Sequence, residues 1–561
     1  MLLTLLICIY ISLLCWAWGS ILIRGLCRLA ASEESTGFHF SITCLAGLAG
    51  ITIMGSIISL FAPLGGWYIQ VILLVPALLF MLINFSVKTE KLKNVFRGFH
   101  FSASMLLLAS FLMILIIGSW KIIHPDTLGY HMQTIKWIEE YKAVPGLVNL
   151  HPRYGYQGLW FVSCALFGFR YLGTGSAVFV NIAVLSWFFL FVIDKINKSC
   201  ISSGSELKQI LLWPLLFILS IWSYTQVRLT AASASPDFIA TLLIWTVIYL
   251  AGKKKIHNAA DWLLILLFCF FAVTVKLSAA PVLLIAGAGF IYFLKRKKYN
   301  LIFRAFVLLL IMAGPYVARN IITSGYIIFP SPFPDIAHAD WKYDPASTAL
   351  EKNYIMAYAK LPVEHTENEI NEVLQMGIFE WLPYWWKNKA VADKAILLLM
   401  LFGFFVSIFN IRKIVREGAS FALVYFVSLT GVLFWFIQAP DPRFGFGFII
   451  PLAALSLYHF FSSKNTIRLK QKFIVVLLWL LSLPVLGYSA YRLVHFFSPR
   501  QLIFSMGVQQ TAYTIAECNG IKYSIPQKGE DCGNLPLPCI YEHCESILPR
   551  GNKLSDGFRA K

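Results

Sequence analysis

Charged residues are scarce in this 561-residue sequence, in which Asp, Glu, Lys and Arg together make up 13%. A soluble globular chain carries about 25%, whereas apolar residues here reach 58% with a mean hydropathy of +0.70. This composition excludes an ordinary soluble enzyme and a disordered chain. Acidic residues are the scarcer sign, 28 against 47 Lys and Arg, which leaves a net charge of +19. In a membrane protein, the first explanation of such an excess is a set of basic loops on the cytoplasmic side.

The apolar residues fall in long runs that are separated by short polar segments. A run of about 17 to 25 apolar residues crosses a bilayer as a helix, because lipid offers no partner to its backbone polar groups. The sequence predicts an all-α polytopic membrane protein with about fourteen transmembrane helices. They lie near residues 1–23, 40–62, 67–86, 101–120, 174–194, 209–224, 236–252, 260–276, 278–294, 301–319, 394–411, 419–437, 444–461 and 473–492.

The basic residues between these runs are divided unevenly. If the N-terminus faces outward, seven inner loops hold 23 Lys and Arg, whereas the four short outer loops hold only Arg228, Lys276 and Arg443. Positively charged loops stay in the cytoplasm, so the imbalance predicts the orientation and accounts for most of the net charge without a nucleic-acid partner. The apolar stretch 157–169 is predicted to be a short interfacial or re-entrant helix, because counting it as a span would place the basic loop 195–208 outside.

This orientation divides the chain into two parts. Residues 1–492 form a transmembrane domain with two large outer loops, 121–173 and 320–393, and residues 493–561 form a small outer tail. The second loop is rich in Trp and acidic residues and is predicted to form short helices on the membrane surface. The cysteines of the tail are Cys518, Cys532, Cys539 and Cys544. Outside the cytoplasm they predict two disulfides of undetermined pairing, and a zinc site that includes His543 is the alternative.

The first outer loop begins with an acidic residue directly after the fourth span. Asp126 is followed by Tyr130 and His131, and the same loop later carries His151 and Arg153. A carboxylate, two imidazoles and a guanidinium within one short loop can form an acid–base and anion-binding set. The alternative is that Asp126 only caps the surface helix that follows it.

Two further outer positions carry arginine. Arg319 and Asn320 lie at the outer end of the tenth span, and Arg443 follows Asp441 between the twelfth and thirteenth spans. The alternatives are that Arg319 only extends to the interface and that Arg443 only pairs with Asp441. Lone charges at outer boundaries are Arg228, Asp237 and Lys276. A carboxylate that faces fixed cations at this depth suits a substrate with an apolar tail and a phosphate head, which Arg clamps with two parallel hydrogen bonds.

Three short motifs follow one another on the outer side. The first is the segment Pro-Asp-Thr-Leu-Gly-Tyr-His that contains Asp126, the second is Pro-x-x-x-Arg-Asn ending at Asn320, and the third is Pro-Arg-Phe around Arg443. In order and side they resemble, over roughly residues 100–460, the GT-C superfamily of integral-membrane glycosyltransferases, which includes bacterial aminoarabinose transferases and protein mannosyltransferases. The chain departs from that family at Thr127, where many members have a second acid, so a divalent metal requirement stays open.

The resemblance implies an enzyme that transfers a hexosyl or pentosyl group from a polyprenyl-phosphate carrier to an envelope glycan, lipid or protein, with inversion at the anomeric carbon. Asp126 is the implied base for the acceptor hydroxyl. The implied phosphate-binding residues are Arg319 and Arg443, assisted by Arg153, Arg228 and Lys276. The implied sugar- or acceptor-binding residues are Tyr130, His131, His151, Asn320 and Asp237. The implied location is a bacterial inner membrane with both termini in the periplasm.

Two other functions are compatible with many spans and charged outer loops. One is a flippase or transporter of lipid-linked sugars. Such proteins usually carry internal repeats and polar residues at mid-membrane, and the sequence has no internal repeat and almost no charge in the middle of its helices. The other is an O-antigen polymerase or ligase, which uses a diphosphate-linked donor. The early acidic loop favours the GT-C resemblance over this alternative.

Overall fold

The computed structural model describes most of the chain: residues 1–31, 38–84, 99–172, 179–201, 207–253, 258–463, 471–496, 499–504, 511–527, 529–541 and 544–561. The described residues are mostly helical, at 73%, with little sheet. This agrees with the predicted all-α class.

Most of the described residues up to residue 324 lie in helices. Within the described residues they are α1 (Leu2–Leu29), α2 (Phe40–Ile58), α3 (Trp67–Ile83), α4 (Phe101–Gly118), α5 (Met132–Glu140), α6 (Leu159–Leu166), α7 (Phe179–Ile201), α8 (Leu207–Trp222), α9 (Tyr224–Ala231), α10 (Asp237–Ala251), α11 (Ala259–Val275), α12 (Leu283–Lys295) and α13 (Tyr299–Ser324). After them come α14 (Pro345–Lys360), α15 (Glu367–Gln375), α16 (Ile378–Lys387), α17 (Val391–Phe409), α18 (Ile411–Arg416), α19 (Ala419–Gln438), α20 (Pro442–Ser463), α21 (Gln471–Phe496) and α22 (Pro499–Ile503).

A helix occupies each of the fourteen predicted transmembrane segments. Of the described helices, eight are long and apolar enough to cross a membrane: α1, α2, α4, α7, the segment Leu277–Lys295 that ends in α12, α13, α17 and α19. Shorter apolar helices are α3, α10, α11 and the first part of α20. The chain therefore has the helices of a polytopic membrane protein, and the number of fourteen spans stays a prediction.

The stretch 157–169 contains α6, a helix of eight residues. At 1.5 Å per residue such a helix is about 12 Å long, which is too short to cross a bilayer. All eight residues are buried, and Ser163 shares a 2.7 Å hydrogen bond with Thr52 of α2. Its exclusion from the predicted spans therefore agrees with its length.

Helices α1 and α2 pack closely because glycines lie at their contact. A Cβ on Gly19 would lie 1.8 Å from the carbonyl oxygen of Thr43, and one on Gly47 would lie 1.8 Å from that of Cys15. Small residues allow two membrane helices to approach in this way. The two glycines thus fix the distance between the first two helices.

Arg24 and His39, which the sequence assigns to a cytoplasmic loop, contact the inner ends of two predicted spans at one end of the helices. Arg24 donates a 2.9 Å hydrogen bond to Asn84, and His39 lies 3.5 Å from the carboxylate of Asp194. These residues belong to three different loops or helix ends that the sequence predicts to share a side. We call this end of the helices the basic end.

The C-terminal tail begins at the opposite end, where the Met1 amino group lies 3.4 Å from the carbonyl oxygen of Ile503. It holds two antiparallel strand pairs, β1 (Tyr513–Cys518) with β2 (Ile521–Pro526) and β3 (Ile547–Pro549) with β4 (Phe558–Ala560). Disulfides join Cys518 to Cys544 and Cys532 to Cys539. The structure thus gives the pairing that the sequence leaves open. His543, named in the zinc alternative, lies outside the described residues.

The tail packs on the first outer loop. The Gln133 side-chain amide donates to the carbonyl oxygen of Leu535 over 3.0 Å, and the Tyr154 hydroxyl donates to that of Cys539 over 2.9 Å. Loop and tail also share one buried apolar cluster, which contains Trp137, Leu147, Tyr154, Tyr523, Ile540 and Phe558. The two segments therefore form one packed unit.

The second outer loop forms the short helices α14, α15 and α16, as the sequence predicts. The Asp344 carboxylate caps α14 by accepting a 2.8 Å hydrogen bond from the Ser347 backbone N–H, and the Trp385 indole N–H of α16 donates to the Pro440 carbonyl oxygen over 2.6 Å. Helix α16 therefore contacts the end at which α19 and α20 meet. Their place on a membrane surface stays a prediction.

Candidate functional site

Asp126 lies between α4 and α5, immediately before a single π-helical turn, Thr127–His131. Its side chain makes no capping hydrogen bond to that turn. The helix-cap alternative is therefore not supported, and the carboxylate is directed to another element. Turns of π-helix are rare and occur frequently at functional sites.

The Arg443 guanidinium lies among three carboxylates. Its Nη1 is 3.6 Å from Oδ2 of Asp126, and its Nε is 3.9 Å from Oδ2 of Asp237 and 3.7 Å from Oδ1 of Asp441. These carboxylates belong to the loop after α4, the first residue of α10 and the turn before α20. The pairing of Arg443 with Asp441 is thus one contact out of three.

Two lysines pair with the same carboxylates as Arg443. Lys276, the residue after α11, pairs with Asp237, and its Nζ lies 3.8 Å from the ring centre of Phe444. Lys389, just before α17, lies 3.5 Å from Asp441. Three carboxylates are thus balanced by three cations. We call the set Asp126, Asp237, Lys276, Asp441 and Arg443 the Asp126 cluster.

The Asp126 cluster is partly open to solvent. The exposed side-chain fraction is 29% for Asp126, 23% for Arg443 and 10% for Asp237. Ionisable groups that are gathered at the ends of apolar helices mark functional sites more often than structural ones. Among the three carboxylates, that of Asp126 is the most accessible to a bound substrate.

The charge state of Asp126 is set by its neighbours. Burial on its own raises the pKa of Asp126, but the Arg443 guanidinium together with His124 and His131 lowers it by more, so the net pKa lies below the usual value. The carboxylate is therefore ionised near neutral pH. An ionised carboxylate within reach of a hydroxyl can accept its proton.

Two buried imidazoles flank Asp126. The rings of His124 and His131 have centroids 5.7 Å apart, and burial lowers the pKa of both, that of His131 to about 3. Both rings are therefore neutral. His131 Nδ1 shares a 2.9 Å hydrogen bond with the Thr127 hydroxyl, whereas Nδ1 of His124 has no hydrogen-bond partner in the described part of the chain.

Arg153 lies beside Tyr130, which is the fourth residue after Asp126. Its Cζ is 5.9 Å from the centre of the Tyr130 ring, and its Nη1 is 3.5 Å from the Glu530 carboxylate of the tail. His151 accepts a 3.2 Å hydrogen bond from the Arg153 backbone N–H and so caps a 3-10 turn. Burial lowers the pKa of His151 to about 3. The structure thus gives His151 a local capping contact, and its sugar-binding role stays a prediction.

Arg319 and Asn320 do not face the Asp126 cluster. Arg319 is 2% exposed, and its Nη1 and Nη2 donate 2.7 Å hydrogen bonds to the Ser59 hydroxyl and to Oε1 of Gln157. The guanidinium thus joins α13 to α2 and to the start of α6. Asn320 is buried, and its amide donates to the Tyr316 carbonyl oxygen. Both side chains are thus bonded within the fold and apart from the Asp126 cluster, and their phosphate and sugar contacts stay predictions.

Arg228 has no contact with the Asp126 cluster among the described residues, and these residues contain no candidate metal site. Arg228 lies on α9, and its Nε is buried with no hydrogen-bond partner among the described residues. In the part of the chain that the structure describes, no three His, Cys, Asp or Glu side chains lie close enough to hold a metal ion. Where the carboxylates of the Asp126 cluster converge, they meet the Arg443 guanidinium.

Sequence reasoning missed several residues that border the site. His124 stands two residues before Asp126, so its position in the same motif was a usable signal. Lys389 and Glu351 lie in the second outer loop, and Glu530 lies in the tail. No local pattern connects these three with Asp126, because their segments meet only in the folded chain.

Fold and site together define a mostly helical protein with candidate membrane-spanning helices and a charged cluster at one end of them. The chain belongs to the family described as a domain of unknown function (DUF8201), whose model matches residues 1–450. The Asp126 cluster lies within the matched segment, and the disulfide-bonded tail lies beyond it. No curated protein and no solved structure matches the chain.

Proposed function

We propose that the chain is an inverting glycosyltransferase with a GT-C-like transmembrane domain, which transfers a hexosyl or pentosyl group from a polyprenyl phosphate to an acceptor hydroxyl. The observation that carries the proposal is the contact between Asp126 and Arg443. A partly exposed, ionised carboxylate lies 3.6 Å from a guanidinium at the end where α10, α11 and α20 meet. A base beside a cation is what transfer from a phosphate leaving group requires.

The proposed reaction is a single displacement. The acceptor oxygen attacks the anomeric carbon of the sugar while its proton passes to the Asp126 carboxylate. The bond between the anomeric carbon and the phosphate oxygen breaks, and its electron pair stays with the lipid phosphate. Attack from the side opposite the leaving group inverts the anomeric configuration.

The cations of the Asp126 cluster are assigned to the leaving group. Negative charge grows on the phosphate as the bond breaks, and Arg443 and Lys276 are the cations that can stabilise it. Asp237, which the sequence predicts to bind sugar, pairs with both of them. We therefore assign Asp237 to orienting the two cations. Tyr130 and His131 keep the proposed role of lining the sugar site.

The proposal includes fourteen spans in a bacterial inner membrane, with the Asp126 cluster and both termini on the periplasmic side. Its support is that Arg24 and His39, predicted to lie in a cytoplasmic loop, contact the predicted inner ends of two spans at the basic end. Met1 adjoins Ile503 at the other end. Two disulfides in the tail fit an oxidising compartment.

Transfer by reconstituted protein tests the proposal. Proteoliposomes are incubated with a panel of radiolabelled polyprenyl-phosphate sugars and with envelope glycans, lipids and proteins as acceptors. We expect label to move to one acceptor class, and Asp126→Asn to slow this transfer by about 10² to 10⁴-fold. The matched control is Glu367→Gln, an exposed carboxyl in the first turn of α15, which should transfer at the normal rate.

Three different outcomes would each contradict one part of the proposal. Normal turnover by Asp126→Asn, with unchanged thermal stability, excludes that carboxylate as the base. Movement of labelled donor across the bilayer without transfer indicates the flippase alternative. Transfer from diphosphate-linked donors alone indicates the polymerase or ligase alternative.

A further inference from the structure

One face of α14 carries side chains of the kind that bind sugars. Glu351, Tyr354 and Tyr358 are three and four residues apart, so they share a face of the helix. The two tyrosine rings are stacked with centroids 6.1 Å apart and an angle of 25° between their planes. All three side chains are partly exposed. Their ring faces and oxygen atoms are therefore accessible to a ligand.

Arg153 connects this face to the Asp126 cluster. Its Cζ lies 6.0 Å from the ring centre of Tyr354 and 5.9 Å from that of Tyr130, which follows Asp126 by one π-helical turn. Tyr358 lies within electrostatic range of Arg443. Arg153 with Tyr130 and Tyr358 with Arg443 therefore connect the face of α14 to the Asp126 cluster.

The tail forms another side of the same surface. Glu530 lies 3.5 Å from Arg153. The Tyr541 hydroxyl donates to the Gly129 carbonyl oxygen over 2.6 Å, so the segment that follows Glu530 is held against the π-helical turn. The tail lies outside the segment that the family model matches. It therefore adds groups to the site that the family segment does not supply.

The charge of this surface differs from that of a phosphate site. Arg153 faces two carboxylates, those of Glu351 and Glu530, and Glu351 also accepts a hydrogen bond from the Tyr156 hydroxyl. Burial lowers the pKa of Arg153, but Glu351, Tyr130, Asp126 and Glu530 together raise it by more, so the guanidinium stays charged. With one cation against two acids, the surface repels a further anion. Uncharged hydroxyl groups can bond both the carboxylates and the guanidinium.

We propose that Arg153, Glu351, Tyr354, Tyr358 and Glu530 form an acceptor subsite that binds an uncharged saccharide. The sugar rings lie against the tyrosine faces, and their hydroxyls bond the charged groups around them. This inference rests on the proposed function, because a saccharide bound here presents a hydroxyl to Asp126. The tail thereby takes part in choosing the acceptor, while Arg443 and Lys276 hold the donor phosphate.

Binding without donor tests the acceptor subsite. Purified full-length protein in nanodiscs is applied to an array of uncharged oligosaccharides and of matched oligosaccharides that contain uronic acids. We expect retention on uncharged glycans and none on their uronic-acid counterparts. Tyr354→Ala and Glu530→Gln should weaken this binding by about tenfold each, since each removes one ring face or one charged acceptor. Tyr384→Ala, on the exposed side of α16, is the matched control and should bind normally.

Three results overturn the acceptor subsite: no retention on any glycan, retention on uronic-acid glycans alone, and equal binding by Tyr354→Ala and the unmodified protein. Asp126→Asn separates this inference from the proposed function. If it binds glycans normally but does not transfer sugar, both proposals are supported. If it binds glycans and still transfers sugar, the base assignment fails and the subsite stands. If the unmodified protein transfers sugar but binds no glycan on the array, the glycosyltransferase proposal stands and only the acceptor subsite is contradicted.

Discussion

Arg443 is the residue on which the charge state of the site depends. Its guanidinium is within 4 Å of Asp126, Asp237 and Asp441, so removing it leaves three carboxylates to face one another. Lys276 and Lys389 each contact one of these acids, and neither has an ion pair with Asp126 among the described residues. The ionised state of Asp126 is therefore set mainly by Arg443.

The pH dependence of transfer follows from this contact. The pKa of Asp126 is lowered below its usual value of about 3.9, so this carboxylate stays ionised between pH 7 and pH 5. We therefore expect that protonation of Asp126 does not reduce kcat/KM over that range. Arg443→Gln removes the largest of the groups that lower the pKa of Asp126 and leaves its burial in place, so that pKa should rise and protonation should reduce kcat/KM over that range. The measurement is kcat/KM against pH for both proteins, with the exposed Lys352→Gln as control. If the acid limb of the kcat/KM profile lies at the same pH in Arg443→Gln and in the unmodified protein, the assignment of Asp126 as the base is contradicted.

The same variant tests the donor assignment. If Arg443 stabilises the leaving phosphate, Arg443→Gln should weaken use of the lipid donor more than use of the acceptor. One lost donor to a developing anion typically costs about 10² to 10³-fold in rate. Initial rates over a grid of donor and acceptor concentrations separate the two effects. Equal losses for donor and acceptor indicate that Arg443 only holds the Asp126 cluster together.

At the scale of elements, the sequence predicts the helices well and their local irregularities poorly. Apolar runs long enough to cross a bilayer leave few alternatives to a helix, and each predicted segment contains one. The ninth segment differs in detail, because α12 begins at Leu283 after a 3-10 turn that contains Pro281. The π-helical turn after Asp126 carries no local sequence signal, because it depends on packing against the tail and α6.

Arg319 shows the same limit for the site. Its place at a helix end is visible in the sequence, but Ser59 and Gln157, its partners, are 260 and 162 residues away. We expect Arg319→Ala to leave the KM for the lipid donor unchanged and to lower thermal stability. Buried polar groups that lose a partner cost about 1 to 3 kcal/mol each. Thermal unfolding and donor titration of the variant provide the measurement, and a raised donor KM at unchanged stability restores the phosphate role.

The glycine contact between α1 and α2 gives a second prediction at this scale. In Gly47→Ala the new methyl group meets the Cys15 carbonyl oxygen at 1.8 Å, so the helices must separate and lose packing. Overpacking of this kind costs about 1 to 3 kcal/mol. We expect a lower unfolding temperature and less monodisperse protein by size-exclusion chromatography. Gly25→Ala, on α1 with nothing within 4 Å of its Cβ position, is the matched control and should behave like the unmodified protein.

At the scale of the whole molecule, sidedness explains which site residues the sequence could find. Asp126, Asp237, Lys276 and Arg443 are predicted to lie on one side, and the structure brings all four together. Charges at the same ends of apolar helices have few other places to lie. Depth and side do not fix direction, so the same reasoning includes Arg319, which points into the fold. The docking of the tail depends on contacts between distant segments and has no sequence pattern.

Chemical labelling tests whether the two ends face the sides that the charge pattern predicts. Six free cysteines are buried, namely Cys8, Cys15, Cys27, Cys44, Cys164 and Cys269, so these six add little background to a membrane-impermeant maleimide. We expect Phe379→Cys, at a position 89% exposed on α16, to react in intact spheroplasts. Arg412→Cys, on α18 beyond the other end of α17, should react only after the membrane is permeabilised. The reverse pattern would place the Asp126 cluster in the cytoplasm, away from any acceptor on the outer face. The labelling therefore decides the compartment in which the proposed transfer must be sought.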